Sequence, residues 1–198
     1  MTDIYSILLK RVDQSISDLG WRRLGGKFLF DLPYGNARIL FRKSVKTTHA
    51  ISVFTADFQI VHDKISNTLR DLGFISFCEF QYSQRLGFFL ESPEDKWWSI
   101  SNDSDLDAAH SEVINIINDY VMKKVYSVSS EEDLVSMWIS GSSPGLTHVQ
   151  RICSLMAFYK LNRAKDRFDI LVESELGGDI SENKKDFIRS AALEFCFG

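Results

Sequence analysis

Pro33-Tyr34-Gly35-Asn36 separates two strand-like runs, residues 27–32 and 37–45, and its residue types bend the chain back on itself. Phe28, Phe30 and Leu32 alternate with Lys27, Leu29 and Asp31, so the first run has one apolar face. A third run repeats that period with Phe54, Ala56, Phe58 and Ile60. Residues 20–60 therefore read as an antiparallel meander whose apolar face needs a cover of helices. Gly25-Gly26 supplies a bend before the first strand.

Helical patterns surround this meander. Ile4, Leu8, Val12, Ile16 and Leu19 form a stripe that begins near Thr2 or Asp3 and is closed by Gly20. Val61, Ile65, Leu69 and Leu72 predict a short helix ended by Gly73. Residues 74–82 are aromatic and ambiguous. Residues 86–91 and 96–100 read as a fourth and a fifth strand around a turn at Pro93. One long helix is expected across Leu106–Val121. Capping-box patterns at Ser129-x-x-Glu132 and Thr147-x-x-Gln150 open two more helices. Phe168–Leu176 and Phe187–Phe195 mark the last two. Strands first and helices after them define an α+β class. The expected architecture is a meander of about five strands packed with helices, then a C-terminal helical bundle. The sheet region spans residues 1–126, and a helical extension, 127–198, packs on it as one unit.

The chain of 198 residues carries 44% hydrophobic and 25% charged residues, an ordinary globular composition. It has no apolar run long enough for a membrane span and no signal-peptide core in its first 20 residues, so the cytoplasm is expected. Cys78, Cys153 and Cys196 are odd in number and widely spaced, which provides neither a disulfide framework nor a CxxC metal motif. His49, His62, His110 and His148 fall in no ligand spacing. The motifs GxSxG, GxxxxGK[ST] and GxGxxG are missing. Asp103, Asp105 and Asp107 resemble the start of a calcium loop, but the sixth position is not Gly and the twelfth is Ile114. Acids favoured at a helix start explain them better. No catalytic residue, metal ligand or cofactor is assigned.

Charge is unevenly distributed. Residues 1–60 hold nine Lys/Arg and five Asp/Glu, a balance of +4, whereas residues 61–198 balance at −8. The net charge of −4 argues against general nucleic-acid binding, which draws on phosphate neutralisation. On the second strand Arg38, Leu40 and Arg42 share one face, which offers a basic strip to an anion or an acidic partner. Lys43 and Arg85 extend the candidate set. Trp97 and Trp98 point to opposite faces of one strand, so one ring belongs to the core and the other either lies under a helix or marks a contact surface.

Five short stretches carry a family likeness: Gly20-Trp21-x-x-x-Gly25-x-x-Phe28, Arg42-Lys43-Ser44, Phe54-Thr55-Ala56-Asp57-Phe58, Arg85-Leu86-Gly87 and Lys96-Trp97-Trp98-Ser99-Ile100. In this order they resemble the bacterial domain of unknown function 4304 family over residues 1–125. The resemblance implies an α+β fold, no known catalytic residues and an association with toxin–immunity gene neighbourhoods. Asp57 departs from the Asn that it leads one to expect.

Two functional readings follow. In the first the chain is a non-enzymatic module that binds a protein partner, of the immunity type that neutralises a bacterial toxin. In the second it is a small-molecule-binding domain or enzyme with an anion pocket between sheet and helices. Both would use Arg38, Arg42, Lys43, Arg85 or Trp97.

Overall fold

Eleven residues, Ser52–His62, form the longest described strand in the computed structural model, and the sheet is built along both of its edges. The structure describes residues 3–162 apart from His49, Leu72, 74–78 and Ser142, together with 181–183, 185, 186 and 190. In chain order the elements are helix α1 (Ile4–Ile16) and strands β1 (Arg22–Leu24), β2 (Lys27–Leu32), β3 (Gly35–Lys43) and β4 (Ser52–His62). Helix α2 (Asp63–Asp71) and strands β5 (Tyr82–Arg85) and β6 (Trp98–Ile100) follow. Helices α3 (Asp103–Ile116), α4 (Met122–Ser127), α5 (Glu131–Ser140) and α6 (His148–Leu161) complete the set. The α+β class is observed, and every strand pairing is antiparallel.

Strands β1 to β4 form the expected meander, with one strand more than the pattern indicated. Arg22–Leu24 pairs with β2 across Gly25-Gly26, so those glycines close a two-residue hairpin instead of preceding the first strand. Gly25 takes φ +63°, a conformation that such short loops require and that glycine adopts at little cost.

Strands β5 and β6 both lie on the outer edge of β4. Tyr82–Arg85 covers Asp57–Ile60, and Trp98–Ile100 covers Ser52–Phe54. They are two halves of one interrupted strand. The expected strand at 86–91 is absent, and Leu86–Phe89 instead makes a 3-10 turn. Its run Leu86-Gly87-Phe88-Phe89-Leu90 is continuously apolar rather than alternating, and Gly87 packs against the returning chain. A Cβ there would stand 2.5 Å from the Glu94 carbonyl oxygen. The expected strand at 96–100 survives only as β6.

Period-two alternation sorts the sheet into two faces. Phe28, Ala37, Ile39, Phe41, Phe54, Phe58 and Trp98 are buried on one of them. Cross-strand register explains why: Phe28 opposes Ile39, Ile39 opposes Phe58, and Phe54 opposes Trp98. Helix α1 lays Tyr5, Leu8 and Val12 into this core, with the Tyr5 ring 5.8 Å from Phe54. Asp3 caps α1, as its position predicts, by accepting from the Tyr5 N–H. Trp98 stacks on Phe54 at 5.3 Å and donates its indole N–H to Glu112 of α3 at 2.8 Å. That bond meets the need of a buried Trp for a polar partner.

The long helix expected over 106–121 is in place, and a π-helical turn over Ile117–Val121 joins α3 to α4. The first capping box is one residue later than the sequence pattern placed it. Ser130 caps α5, with Asp133 reaching back to the Ser130 N–H. This register turns Leu134 and Trp138 into the core. Thr147 and Gln150 form the second box as expected. Helices expected at 168–176 and 187–195, the ambiguous 74–78 stretch, Cys78, Cys196 and His49 lie outside the described residues. Cys153 is buried, and burial pushes its thiol up to about 12, which keeps it protonated.

The Trp pair gives a direct stability test. Trp98→Ala should cost about 3–5 kcal/mol through the void it leaves. Trp97→Ala gives up an exposed ring under Arg85 and should cost no more than about 1 kcal/mol. Urea unfolding of both variants measures the difference, and equal losses would overturn this core assignment.

Candidate functional site

The second face of the sheet is polar. Arg38, Leu40 and Arg42 of β3 oppose Gln59, Asp57 and Thr55 of β4, and Arg85 of β5 opposes Asp57 from the other side. Strand pairing alone therefore gathers three arginines on the face that holds Asp57.

Asp57 is the centre of this cluster, with its side chain only 9% exposed. Its Oδ2 pairs with Arg42 Nε at 2.9 Å, and its Oδ1 lies 3.6 Å from Arg85 Nε. A carboxylate this buried is tolerated because two guanidiniums offset its lost hydration. Arg85 also pairs with Asp95 and lies over the Trp97 ring, 5.4 Å from its centroid. Arg38 donates from Nε to Gln59 Oε1 at 2.7 Å and from Nη2 to the Glu79 carbonyl at 2.5 Å. Burial opposes the charge on Arg38 and lowers its pKa, while the nearby Glu79 acts in the other direction.

Two open grooves flank the Arg42–Asp57–Arg85 ridge. One, of about 680 Å³, runs beside β5 and is lined by Asp57, Ser83, Arg85, Phe88, Asp95 and Gly145 among others. The other, of about 630 Å³, lies between β3 and α2 and includes Arg38, Leu40, Arg42, Asn67 and Arg70. Both volumes are in the range of ligand sites, though these grooves are open rather than enclosed.

The sequence-derived candidates divide accordingly. Arg38, Arg42 and Arg85 converge on the polar face, and Trp97 joins them through Arg85, with 41% of its surface exposed. Trp98 is the core member of the pair at 4%. Lys43 is elsewhere. It pairs with Asp3, the cap of α1, and lies over the Tyr5 ring at 4.7 Å. It follows the alternation of Ile39 and Phe41, which points it to the helix-covered side.

Three residues of the cluster were missed by sequence reasoning. Asp57 and Gln59 carried a signal, since they fall at the polar phase of an otherwise apolar strand. Arg70 carried none, because only the fold brings α2 beside β3.

A second polar centre sits at the end of β4. His62 is buried and stacks on Tyr34, their centroids 5.2 Å apart. Its Nδ1 accepts from the Ile65 N–H at 3.3 Å, which leaves the proton of the neutral ring on Nε2. Nε2 is 3.2 Å from Glu131 Oε1, within ion-pair reach, but its N–H is not aimed along a hydrogen bond. Burial lowers the His62 pKa below 6.5, and Glu131 opposes that shift with a smaller effect. His62 lines neither groove among the described residues.

No group of three or more His, Cys, Asp or Glu placed to hold a metal ion occurs among the described residues. No described helix is long and apolar enough to cross a membrane. The fold and site define an α+β sheet protein that displays an arginine-rich face beside an exposed tryptophan. No family model, curated protein or solved structure matches the chain.

His62 fixes the sign of a pH dependence. Its folded pKa lies below the unfolded value of about 6.5, so the unfolded chain binds the proton first as pH falls. The stability contributed by the neutral ring is complete above that value and declines as pH drops below it. Melting temperatures between pH 8 and 5 should fall more steeply for the parent than for His62→Gln. Parallel curves would refute the assignment.

Proposed function

We propose that this chain is a non-enzymatic binding module that engages a protein partner through the polar face of its sheet, in the manner of an immunity protein that neutralises a toxin. One observation carries the reading. Arg38, Arg42 and Arg85 share that face with a single buried carboxylate, Asp57, next to an exposed Trp97. Arginine and tryptophan are the residue types that most often dominate interface energies, and excess positive charge steers an acidic partner into register. The family likeness adds the toxin–immunity setting. Neither groove has a histidine among its described lining residues, which gives an enzymatic reading little to build on.

The test is co-expression with the product of the adjacent gene. The parent chain should form a complex that survives gel filtration and should restore growth of cells making that product. Combining Arg42→Glu with Trp97→Ala should weaken the complex at least about tenfold, through the loss of one charge-assisted contact and one aromatic anchor. If no protein partner is retained while a metabolite raises the melting temperature, the small-molecule reading replaces this one.

A further inference from the structure

We infer that the groove between β3 and α2 binds an extended acidic segment with carboxylates at positions i and i+4 and an apolar side chain between them at i+2. The inference rests on the protein-binding reading above and specifies what such a partner presents. Arg38, Leu40 and Arg42 point to one face of β3 at period two, so basic, apolar and basic groups follow one another along the groove. At about 3.3 Å per residue the two arginines stand roughly 13 Å apart along the strand. An extended chain laid along β3 repeats that spacing and directs residues i, i+2 and i+4 to the same side.

The donors needed are free to act. Among the described residues Arg42 commits only Nε, to Asp57, and its side chain is 57% exposed. Arg38 commits Nε and one Nη2 hydrogen, which leaves Nη1 without a partner among the described residues. Arg70 stands on the opposite wall and, among the described residues, uses Nη1 on Asn67 alone. Three guanidiniums thus line the groove with the carboxylates of Asp63 and Glu79, while Asp57 holds Arg42 from outside that lining. Two forks with unspent N–H pairs favour planar carboxylates. The half-buried Leu40 between them offers apolar contact where a simple inorganic anion would make none.

Fluorescence anisotropy with the full chain and a labelled heptapeptide, acetyl-Ser-Glu-Thr-Leu-Thr-Glu-Ser-amide, tests this. Saturable binding that weakens as salt rises is expected. Moving the second Glu to i+3, or replacing the central Leu with Ser, should weaken it by roughly tenfold or more. Arg42→Lys keeps a positive charge beside Asp57 and should bind less tightly because the fork is lost. Arg70→Gln changes an exposed residue of α2 and should also weaken binding, with the melting temperature unchanged. Equal affinity for the i+3 peptide, for a Lys-for-Glu peptide or for single-stranded DNA would overturn the inference, as would no binding at all. Failure here, with the partner complex still lost in the Arg42→Glu and Trp97→Ala combination, would remove this groove and leave the binding-module function standing. Peptide binding without any protein partner would do the reverse.

Discussion

Gln81 joins the sheet to the helical half of the molecule. It is fully buried, and each of its polar groups is engaged. Its backbone N–H extends the ladder to Ile60 at 2.8 Å, and its side-chain oxygen accepts from the His62 N–H at 2.6 Å. That side chain takes the place of the next rung where β4 ends. Its amide nitrogen donates to Ser66 of α2 at 3.2 Å, and its carbonyl accepts from the Trp138 indole of α5 at 3.0 Å. Three elements, β4, α2 and α5, thus converge on one residue. Leaving any of these buried groups unpaired costs about 1–3 kcal/mol, so the arrangement tolerates only the geometry that satisfies all of them.

The apolar half of the fold was legible because it obeys simple periods. Alternation at Phe28, Phe54 and Phe58, together with the stripe at Leu8, Val12 and Ile16, identified the sheet core and the helix that covers it. Glycine stops at 20 and 73 were legible too, and each adopts the positive φ that ends its helix. Errors came where tertiary contact overrides local pattern. Leu86–Phe89 has apolar strand-like content, but the close return of the chain at Gly87 makes it a turn. Ser129 and Ser130 both fit the capping rule, and burial of Trp138 selects the second. Gln81 gave no local sign of its role, because its partners lie on three other elements.

The basic face was only half legible. Residue alternation placed Arg38 and Arg42 together, but sequence cannot count how many of their charges the fold cancels. Asp57 supplies that missing term. A lone carboxylate in mid-strand would be costly to bury, and two arginines without it would repel one another. Arg42, Asp57 and Arg85 resolve both difficulties, with Asp95 pairing the outer side of Arg85. Thr55 and Gln59 are almost without exposure on this polar face because each is hydrogen-bonded there, Thr55 to the Lys96 carbonyl and Gln59 to Arg38 and Ser83.

The Pro144-Gly145 turn has a consequence for self-association. The Pro144 carbonyl accepts from the Ser83 N–H at 3.2 Å, and Gly145 packs so closely that a Cβ would meet the Ser83 carbonyl oxygen at 2.1 Å. Both main-chain groups of Ser83 are thereby shielded on the outer rim of β5. At the other rim β1 has only three residues, two of them arginines. Bare strand rims invite runaway stacking of copies into fibrils, and proteins blunt them with short strands, charges and covering loops. Here every one of those devices is present, so an incoming chain finds little main chain to zip onto and must read side chains instead.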